Sequence, residues 1–226
     1  MMISPEGYYE EYLKGKTKEQ ILTVIRGLKQ EIGRLKNTME SPDYGVKPII
    51  HPSEDTRLHW TREYLERAKQ AYAEAGGTYT LSKSEQKTAD FDTNINAICK
   101  ITFNIGGYFG GYRSYIVELS EELKAYTKLW EDEEPLSLWD DDNKETFTKA
   151  TFIAALKELH IGEWRRRYTT GRFGYMVLDG TQWELEFEYI NGHKPVRFDG
   201  DNSYPYNFNK FQMLFGINES EEIEDE

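Results

Sequence analysis

The chain changes its hydrophobic period part-way along, and that change limits what it can fold into. From Ile21 through Ile25, Leu28, Ile32 and Leu35 to Met39, apolar residues recur at alternating spacings of four and three, which marks one face of a helix. From Ile101 through Phe103 and Ile105, apolar and polar residues alternate at a spacing of two, as in a strand with one buried face. No single type of secondary structure accommodates both. The fold class is therefore α+β: an N-terminal antiparallel helical hairpin, then an antiparallel β-sheet built of meanders with short covering helices.

Punctuation residues divide the helical half. Ser4-Pro5 opens a short helix, since serine caps an N-terminus and proline is tolerated at the first helical position. Tyr8, Tyr9, Tyr12 and Leu13 form its sticky face, and Gly15 ends it. Thr17-Lys18-Glu19-Gln20 matches a capping box, in which Thr17 and Gln20 satisfy free N–H groups at the start of the striped helix. Pro42, Gly45, Pro48 and Pro52 break the pattern, and Ser53 caps a second helix. The stripe returns as Leu58, Thr61, Leu65, Ala68, Tyr72 and Ala75 before Gly76-Gly77 stops it. Two such helices, joined by about a dozen residues, pack as an antiparallel hairpin whose small Ala68 and Ala75 allow close approach. The stripe has two possible roles: covering the hairpin and the adjacent sheet, or joining two copies as a homodimer.

Residues 78–94 are polar and weakly patterned, so a boundary belongs there, with a helical region over 1–88 and a sheet domain over 89–218. In the sheet domain, residues 106–111 supply a glycine-rich turn, Tyr115, Val117 and Leu119 continue the period of two, and residues 123–130 make a third strand of a meander. An acidic insertion follows at 131–134 and 140–142. Residues 148–159 read as a helix with Phe152, Ile153, Leu156 and Leu159 on one face, ended by Gly162. Asp179-Gly180 and Asn191-Gly192 are tight-turn pairs that tolerate positive φ. They separate strands over 175–178, 182–189 and 194–198, with Trp183, Leu185, Phe187 and Tyr189 of the middle strand facing the core. A helix over 207–215 offers Phe208, Phe211, Leu214 and Phe215 as cover.

Charge is divided as unevenly as pattern. Residues 1–88 hold 14 basic and 13 acidic side chains, and residues 89–226 hold 14 and 27. A strongly acidic module repels nucleic acid and favours basic protein surfaces. With 16 Tyr, 11 Phe and 5 Trp the chain is too aromatic for wholesale disorder; the acidic terminus 219–226 is the exception and is expected to be mobile. One cysteine, Cys99, excludes an internal disulfide and fits a reducing compartment. No secretory signal is visible at the N-terminus, and no apolar run approaches the roughly 20 residues that span a bilayer. These features describe a soluble intracellular protein without membrane attachment.

No catalytic motif is present. His51, His59, His160 and His193 have no second ligand at metal spacing, and residues 106–111 lack the lysine and helix of a phosphate loop. No metal or cofactor is expected. The carboxylates that could meet a partner are Glu184, Glu186 and Glu188, spaced roughly 7 Å apart on one strand face, and the loop acids Asp140, Asp141 and Asp142. A row at that spacing resembles the phosphates of a nucleic-acid strand, and its attraction for a basic protein would weaken with salt. The one basic cluster, Arg165, Arg166 and Arg167 with Tyr168 and Arg172, fits either phosphate and base binding or pairing with the carboxylate ladder.

The stretches Ile105-Gly106-Gly107-Tyr108-Phe109-Gly110-Gly111-Tyr112, His160-Ile161-Gly162-Glu163-Trp164, Asp179-Gly180-Thr181-Gln182-Trp183 and Gly200-Asp201-Asn202-Ser203-Tyr204-Pro205 resemble an uncharacterised family carried on bacterial mobile elements. The resemblance implies a bacterial cytoplasm and an accessory role in phage or plasmid biology, where small acidic proteins include inhibitors of defence nucleases such as CRISPR effectors. It assigns no site residues. The expectation is a non-catalytic, acidic protein-binding module whose partner is a basic protein, such as a nucleic-acid-processing enzyme. The alternatives are a nucleic-acid binder or small hydrolase centred on the arginines, and a structural oligomer joined through the hairpin.

Overall fold

A computed structural model describes residues 3–46, 51–107, 110–130, 132–140, 145–177 and 179–217. The chain divides into two compact units, Met1–Leu81 and Ser82–Glu226. In the first, helix α1 (Pro5–Tyr8) starts where the Ser4 hydroxyl accepts the Gly7 N–H at 3.1 Å. It widens into a π-helical turn over Tyr9–Leu13, and Gly15 turns the chain at φ 74°. Helix α2 (Lys18–Met39) carries the full capping box, with Gln20 Oε1 accepting the Thr17 N–H at 2.9 Å. Helix α3 (Glu54–Glu74) is capped by the Ser53 hydroxyl.

The two long helices run antiparallel. Ile21 and Ile25 at the start of α2 share a core with Leu13 and with Leu65, Ala68 and Ala71 toward the end of α3. Farther along α2, Glu31 accepts from Arg57 in the first turns of α3 at 2.9 Å. Burying each large aliphatic of this core is worth roughly 1.5–3 kcal/mol. Ala75, expected on the inner face, is the exposed C-cap residue, because the chain leaves the helix there; Ala71 packs inward instead. Arg34 Nε and Nη2 also donate to Glu31 at 2.7 Å each, and these bonds hold its carboxyl below the usual range. The folded-state shift is downward, so the contribution is present at neutral pH and is lost as the pH falls through the carboxylate range.

The second unit opens with helix α4 (Lys83–Asn94), where sequence predicts a polar linker and a boundary at residue 88. Its buried face amounts to Phe91 alone, too little for a periodic signal, although Ser82 and Glu85 form a capping box. Strands β1 (Ile98–Gly107), β2 (Gly111–Glu118), β3 (Lys124–Leu129) and β4 (Asp132–Pro135) make an antiparallel meander. The first acidic stretch is thus an edge strand over Asp132–Pro135; Glu131 lies outside the described residues. A small ribbon of β5 (Trp139–Asp140) and β6 (Glu145–Thr146) precedes helix α5 (Lys149–Glu158), capped by Thr148. His160, at φ 49°, rather than Gly162, turns the chain out of α5. Strands β7 (Arg167–Thr169), β8 (Thr181–Tyr189) and β9 (Val196–Asp201) follow, then helix α6 (Phe208–Leu214).

All seven main strands belong to one sheet, ordered β4-β3-β2-β1-β8-β9-β7, and only β7 and β9 pair in parallel. The expected second three-stranded meander does not form. Residues 175–177 have no strand partner, Leu178 lies outside the described residues, and the place beside β9 is taken by β7. Alternation tells which residues face the core but not which strand lies alongside, so the pairing of β1 with β8 was not legible.

Helices α4 and α6 cover one face of the sheet. Phe91 of α4 meets Phe187 of β8 edge-on at 5.1 Å between ring centres, and Phe211 of α6 meets Phe103 of β1 at 5.1 Å. Phe152 of α5 packs against Phe215 just past α6. Trp183, Leu185, Phe187 and Tyr189 all point into this core, as predicted. Two buried indoles are satisfied there: Trp164 Nε1 donates to Asn207 Oδ1 at 2.9 Å and Trp183 Nε1 to the Ser203 carbonyl at 3.0 Å. The Trp183 indole lies directly over Gly200, where a Cβ would fall 2.1 Å from Nε1. Gly200→Ala is therefore expected to destabilise the second unit by about 3 kcal/mol in denaturant unfolding. In the opposite direction, Gly27→Ala, at an exposed position of α2 with nothing within 4 Å of the new Cβ, should stabilise the first unit by about 0.5–1 kcal/mol.

Candidate functional site

The carboxylate ladder occupies the face of the sheet opposite the helices, and it is partly neutralised. Cross-strand register sets Glu186 beside Arg197 and Thr102, Glu188 beside Lys100, and Glu184 between Asn104 and Asp199. Arg197 donates to Glu186 at 2.7 Å, a bond that raises the arginine's pKa, and Lys100 stands 3.8 Å from Glu188. Glu184 has another carboxylate, Asp199, directly opposite, which is unfavourable unless a cation is near; Arg167 lies 3.5 Å from Asp199. Exposed pairs of this kind contribute up to about 1 kcal/mol each and exchange readily. Asp140 sits in β5, paired by its backbone with Glu145, whereas Asp141 and Asp142 lie outside the described residues. Among the described residues no group of three or more His, Cys, Asp or Glu side chains could hold a metal ion.

The arginines are not gathered into a patch. Successive side chains alternate faces along β7 and the extended residue before it, so Arg166 and Tyr168 point to the helix side and Arg167 to the ladder side. Tyr168 is buried beside Trp183, and its hydroxyl accepts the Arg165 N–H at 3.0 Å, which removes it as a stacking platform. The Arg166 guanidinium rests on the Phe198 ring at 4.8 Å and donates to the Arg197 carbonyl at 3.2 Å. Arg172 lies over its neighbour Phe173. Arg167 reaches the ladder face beside Asp199, while Glu186 and Glu188 of the ladder pair with Arg197 and Lys100.

Sequence reasoning did not find a second feature of this unit, the distribution of its exposed apolar side chains. Among the described residues these are Tyr112, Leu129, Trp130, Tyr175, Met176, Val177, Ile190 and Met213. The first six belong to one end of the sheet. Gly107 pairs with Gly111 and Thr181, and Leu129 with Asp132, so the β1–β2 and β3–β4 turns and the lead-in to β8 lie at that end. Tyr112 marks the junction, its hydroxyl donating to Gln182 Oε1 at 2.6 Å. Trp130 is 84% exposed and holds φ at 59°, a left-handed conformation unusual for a bulky residue. The edge strand β4, with Asp132, Glu133 and Glu134 all exposed, borders this end. Six scattered residues gave no periodic signal, which is why the grouping appears only once the strands are registered.

Gly106, Gly162, Gly180 and Gly200, one from each of the four stretches quoted above, are closely packed. Gly162 sits against α4, where a Cβ would come within 3.1 Å of the Thr88 carbonyl, and Gly180 is capped by the Asn202 amide, which accepts the Thr181 N–H at 2.9 Å. The chain matches no family model, no curated protein and no solved structure.

Two buried or half-hidden groups give tests of this framework. Asn207 accepts from Trp164 and donates to the Leu159 carbonyl at 2.7 Å, joining the turn after α5 to the start of α6. Asn207→Ala leaves two buried groups unpaired and should cost on the order of 3 kcal/mol in urea unfolding. Asp92 is an exposed residue whose carboxylate is tucked toward Gly162; burial first, and then Glu163, raise its pKa. A carboxyl raised in the folded state binds its proton more tightly there than in the unfolded chain, so its ionisation destabilises the fold as pH rises through that window. Asp92→Asn should raise the Tm at pH 7, with the gain vanishing near about pH 3, where both states are protonated.

Proposed function

We propose that this chain is a non-catalytic protein-binding module that captures a basic protein partner through the exposed apolar end of its sheet. The observation that carries the reading is the concentration there of Tyr112, Leu129, Trp130, Tyr175, Met176 and Val177. Large exposed apolar groups collected in one place, with charges around them, are what protein interfaces present. Trp, Tyr and Met at loop tips supply contact area at low entropic cost. The border is acidic, with Asp132, Glu133 and Glu134 on β4 and Asp179 before β8, so the complementary surface has an apolar centre ringed by Lys and Arg. The ladder of Glu184, Glu186 and Glu188 adds attraction over the adjoining face once the partner's cations displace Arg197 and Lys100.

A nucleic-acid-processing enzyme is one protein of that chemistry, and inhibition of a defence nuclease by a mobile-element protein is one biological setting for it. The alternatives draw less support from the geometry. Arg166 and Arg167 point to opposite faces, and Ile21, Ile25, Leu65 and Ala68 of the heptad stripe are buried within their own unit.

Affinity capture from the native cell, at low and high salt, tests the reading with two variants. Trp130→Ser/Met176→Ser should abolish recovery of the captured protein at both salt concentrations. Glu184→Lys/Glu186→Lys/Glu188→Lys should reduce recovery at low salt and leave the high-salt remainder, since screened attraction sets association more than residence. Undiminished recovery with the Trp130/Met176 variant, folded as judged by circular dichroism, overturns the proposal.

A further inference from the structure

One row of side chains crosses all seven main strands on the face of the sheet opposite α4 and α6. From the β4 edge to the β7 edge, cross-strand register lines up Glu133, Lys128, Ser114, Asn104, Glu184, Asp199 and Arg167. The two ends of the row are ion pairs of opposite order. At the β4 edge the acid is outermost, with Lys128 3.4 Å from Glu133; at the β7 edge the base is outermost, with Arg167 3.5 Å from Asp199. These four side chains are 43–76% exposed, open to another molecule. Asn104 stands at the middle, on β1, the fourth of the seven strands.

Such a row complements its own reversal. Turned end for end about Asn104, it sets Glu133 on Arg167, Lys128 on Asp199 and the Ser114 hydroxyl on Glu184, and no like charges meet. Asn104 then faces Asn104, where two side-chain amides can exchange a reciprocal pair of hydrogen bonds. In the next row, which runs Tyr126, Ile116, Thr102, Glu186, Arg197, the same turn lays the Arg197 guanidinium over the Tyr126 ring and Thr102 on Thr102. Glu186, already bound to Arg197, comes over Ile116. This turn is the operation of a two-fold axis laid along β1 between two sheets stacked face to face. An axis laid along the row instead would set Glu133 on Glu133 and Lys128 on Lys128, each charge against its own kind, and is disfavoured. The row of Lys124, Glu118, Lys100 and Glu188, about 13 Å farther along the strands, lacks this order, since the turn brings Glu118 to Glu188. Twisted sheets packed face to face diverge toward their corners, so the contact centres on the row through Asn104.

We infer that this face is a self-association surface, on which a second copy of the chain docks face to face about a two-fold axis along β1. The row itself fixes the partner, because a second copy carries the reversed order of charges that the row requires. Seven strands about 4.8 Å apart make the row roughly 29 Å long, comparable to the width of a standard interface of roughly 800 Å² a side. The face is polar and its exposed ion pairs exchange readily, so the dimer is reversible. An axis along the strands directs both apolar ends to the same side of the dimer. A partner's cations then reach Glu184, Glu186 and Glu188 only in the monomer.

Sedimentation velocity of the purified full chain over a range of concentrations tests the inference with no other protein present, so its outcome is separate from capture of a basic partner. Wild type should show a reversible monomer–dimer equilibrium. Lys128→Glu sets carboxylate on carboxylate at both symmetry-related contacts, and Asp199→Lys sets ammonium on ammonium. Each variant alone should weaken dimerisation at least about tenfold. Mixed in equal amounts, the two should dimerise again, because each contact in the mixed pair joins an acid to a base. Mixing restores nothing within one chain, so recovery distinguishes contact between copies from damage to the local pairs with Glu133 and Arg167. Glu133→Lys and Arg167→Glu make a second pair with the same expected behaviour, and circular dichroism verifies that each variant is folded. A wild type that stays monomeric at millimolar concentration, a dimer that the single variants leave intact, or mixtures that fail to restore it, each overturns the inference.

Discussion

The antiparallel pairing of β1 with β8 is the constraint on which the second unit depends. It joins residues more than seventy positions apart, from Gly107 opposite Thr181 to Ile98 opposite Tyr189. Closing so long a loop costs entropy before any packing is gained. What offsets the cost is that β8 is central, with β1 on one side and β9 on the other, and that its inner row of Trp183, Leu185, Phe187 and Tyr189 is wholly buried. The meander β1–β4 and the β9–β7 edge are each bound to the rest through this one strand. Gly200 lies under the Trp183 indole, and Asn202 folds back to cap the start of β8.

The same strand also separates two chemistries. Alternation puts aromatics on one face and glutamates on the other, while its ends differ in a way alternation does not dictate. One end leads into exposed apolar turns, and the other closes against α4 through Tyr189 and His193. An antiparallel sheet covered on one side tolerates a polar second face, and the cations opposite Glu186 and Glu188 make that face compatible with folding. Under the proposed function, partner capture is therefore better sought at the ends of the strands, where neither the core nor the pleat dictates side-chain identity.

Much of this was legible in the residues. The capping box at Thr17, the antiparallel hairpin and the inward row of β8 follow from local rules that hold wherever such patterns occur. What was not legible is long-range. Helix α4 rests on one aromatic, Phe91, and offers no period to read. The apolar segment 175–177 precedes a tight-turn pair as a strand should, yet the three-residue β7 takes the edge beside β9 because parallel register with Asp199 and Gly200 places Tyr168 in the core. The candidate sites fail to show in sequence for the same reason. The row through Asn104 draws one residue from each of seven strands, and the six apolar residues at the sheet's end come from three separate turns.

The distribution of charge sharpens what the acidic composition can do. Residues 82–226 contain 28 acidic and 16 basic side chains, which is the entire net charge of −12, because residues 1–81 hold 12 of each. Within 82–226, the residues outside the described ones hold nine of the acids and one of the bases, so the described part carries only 19 against 15. The registered sheet face is therefore close to balanced, and most of the excess negative charge lies in short stretches at 131, 141–144 and 218–226. An excess of one sign of charge acts on a distant partner through its long-range field, which raises the rate of encounter and fades within about 10 Å in salt. Under the proposed function, selectivity comes from close contacts, which among the described residues the apolar end and its acidic edge strand would make. Under the proposed function, the composition that first draws attention would attract a basic partner, and a much smaller, nearly uncharged set of side chains would decide whether it stays.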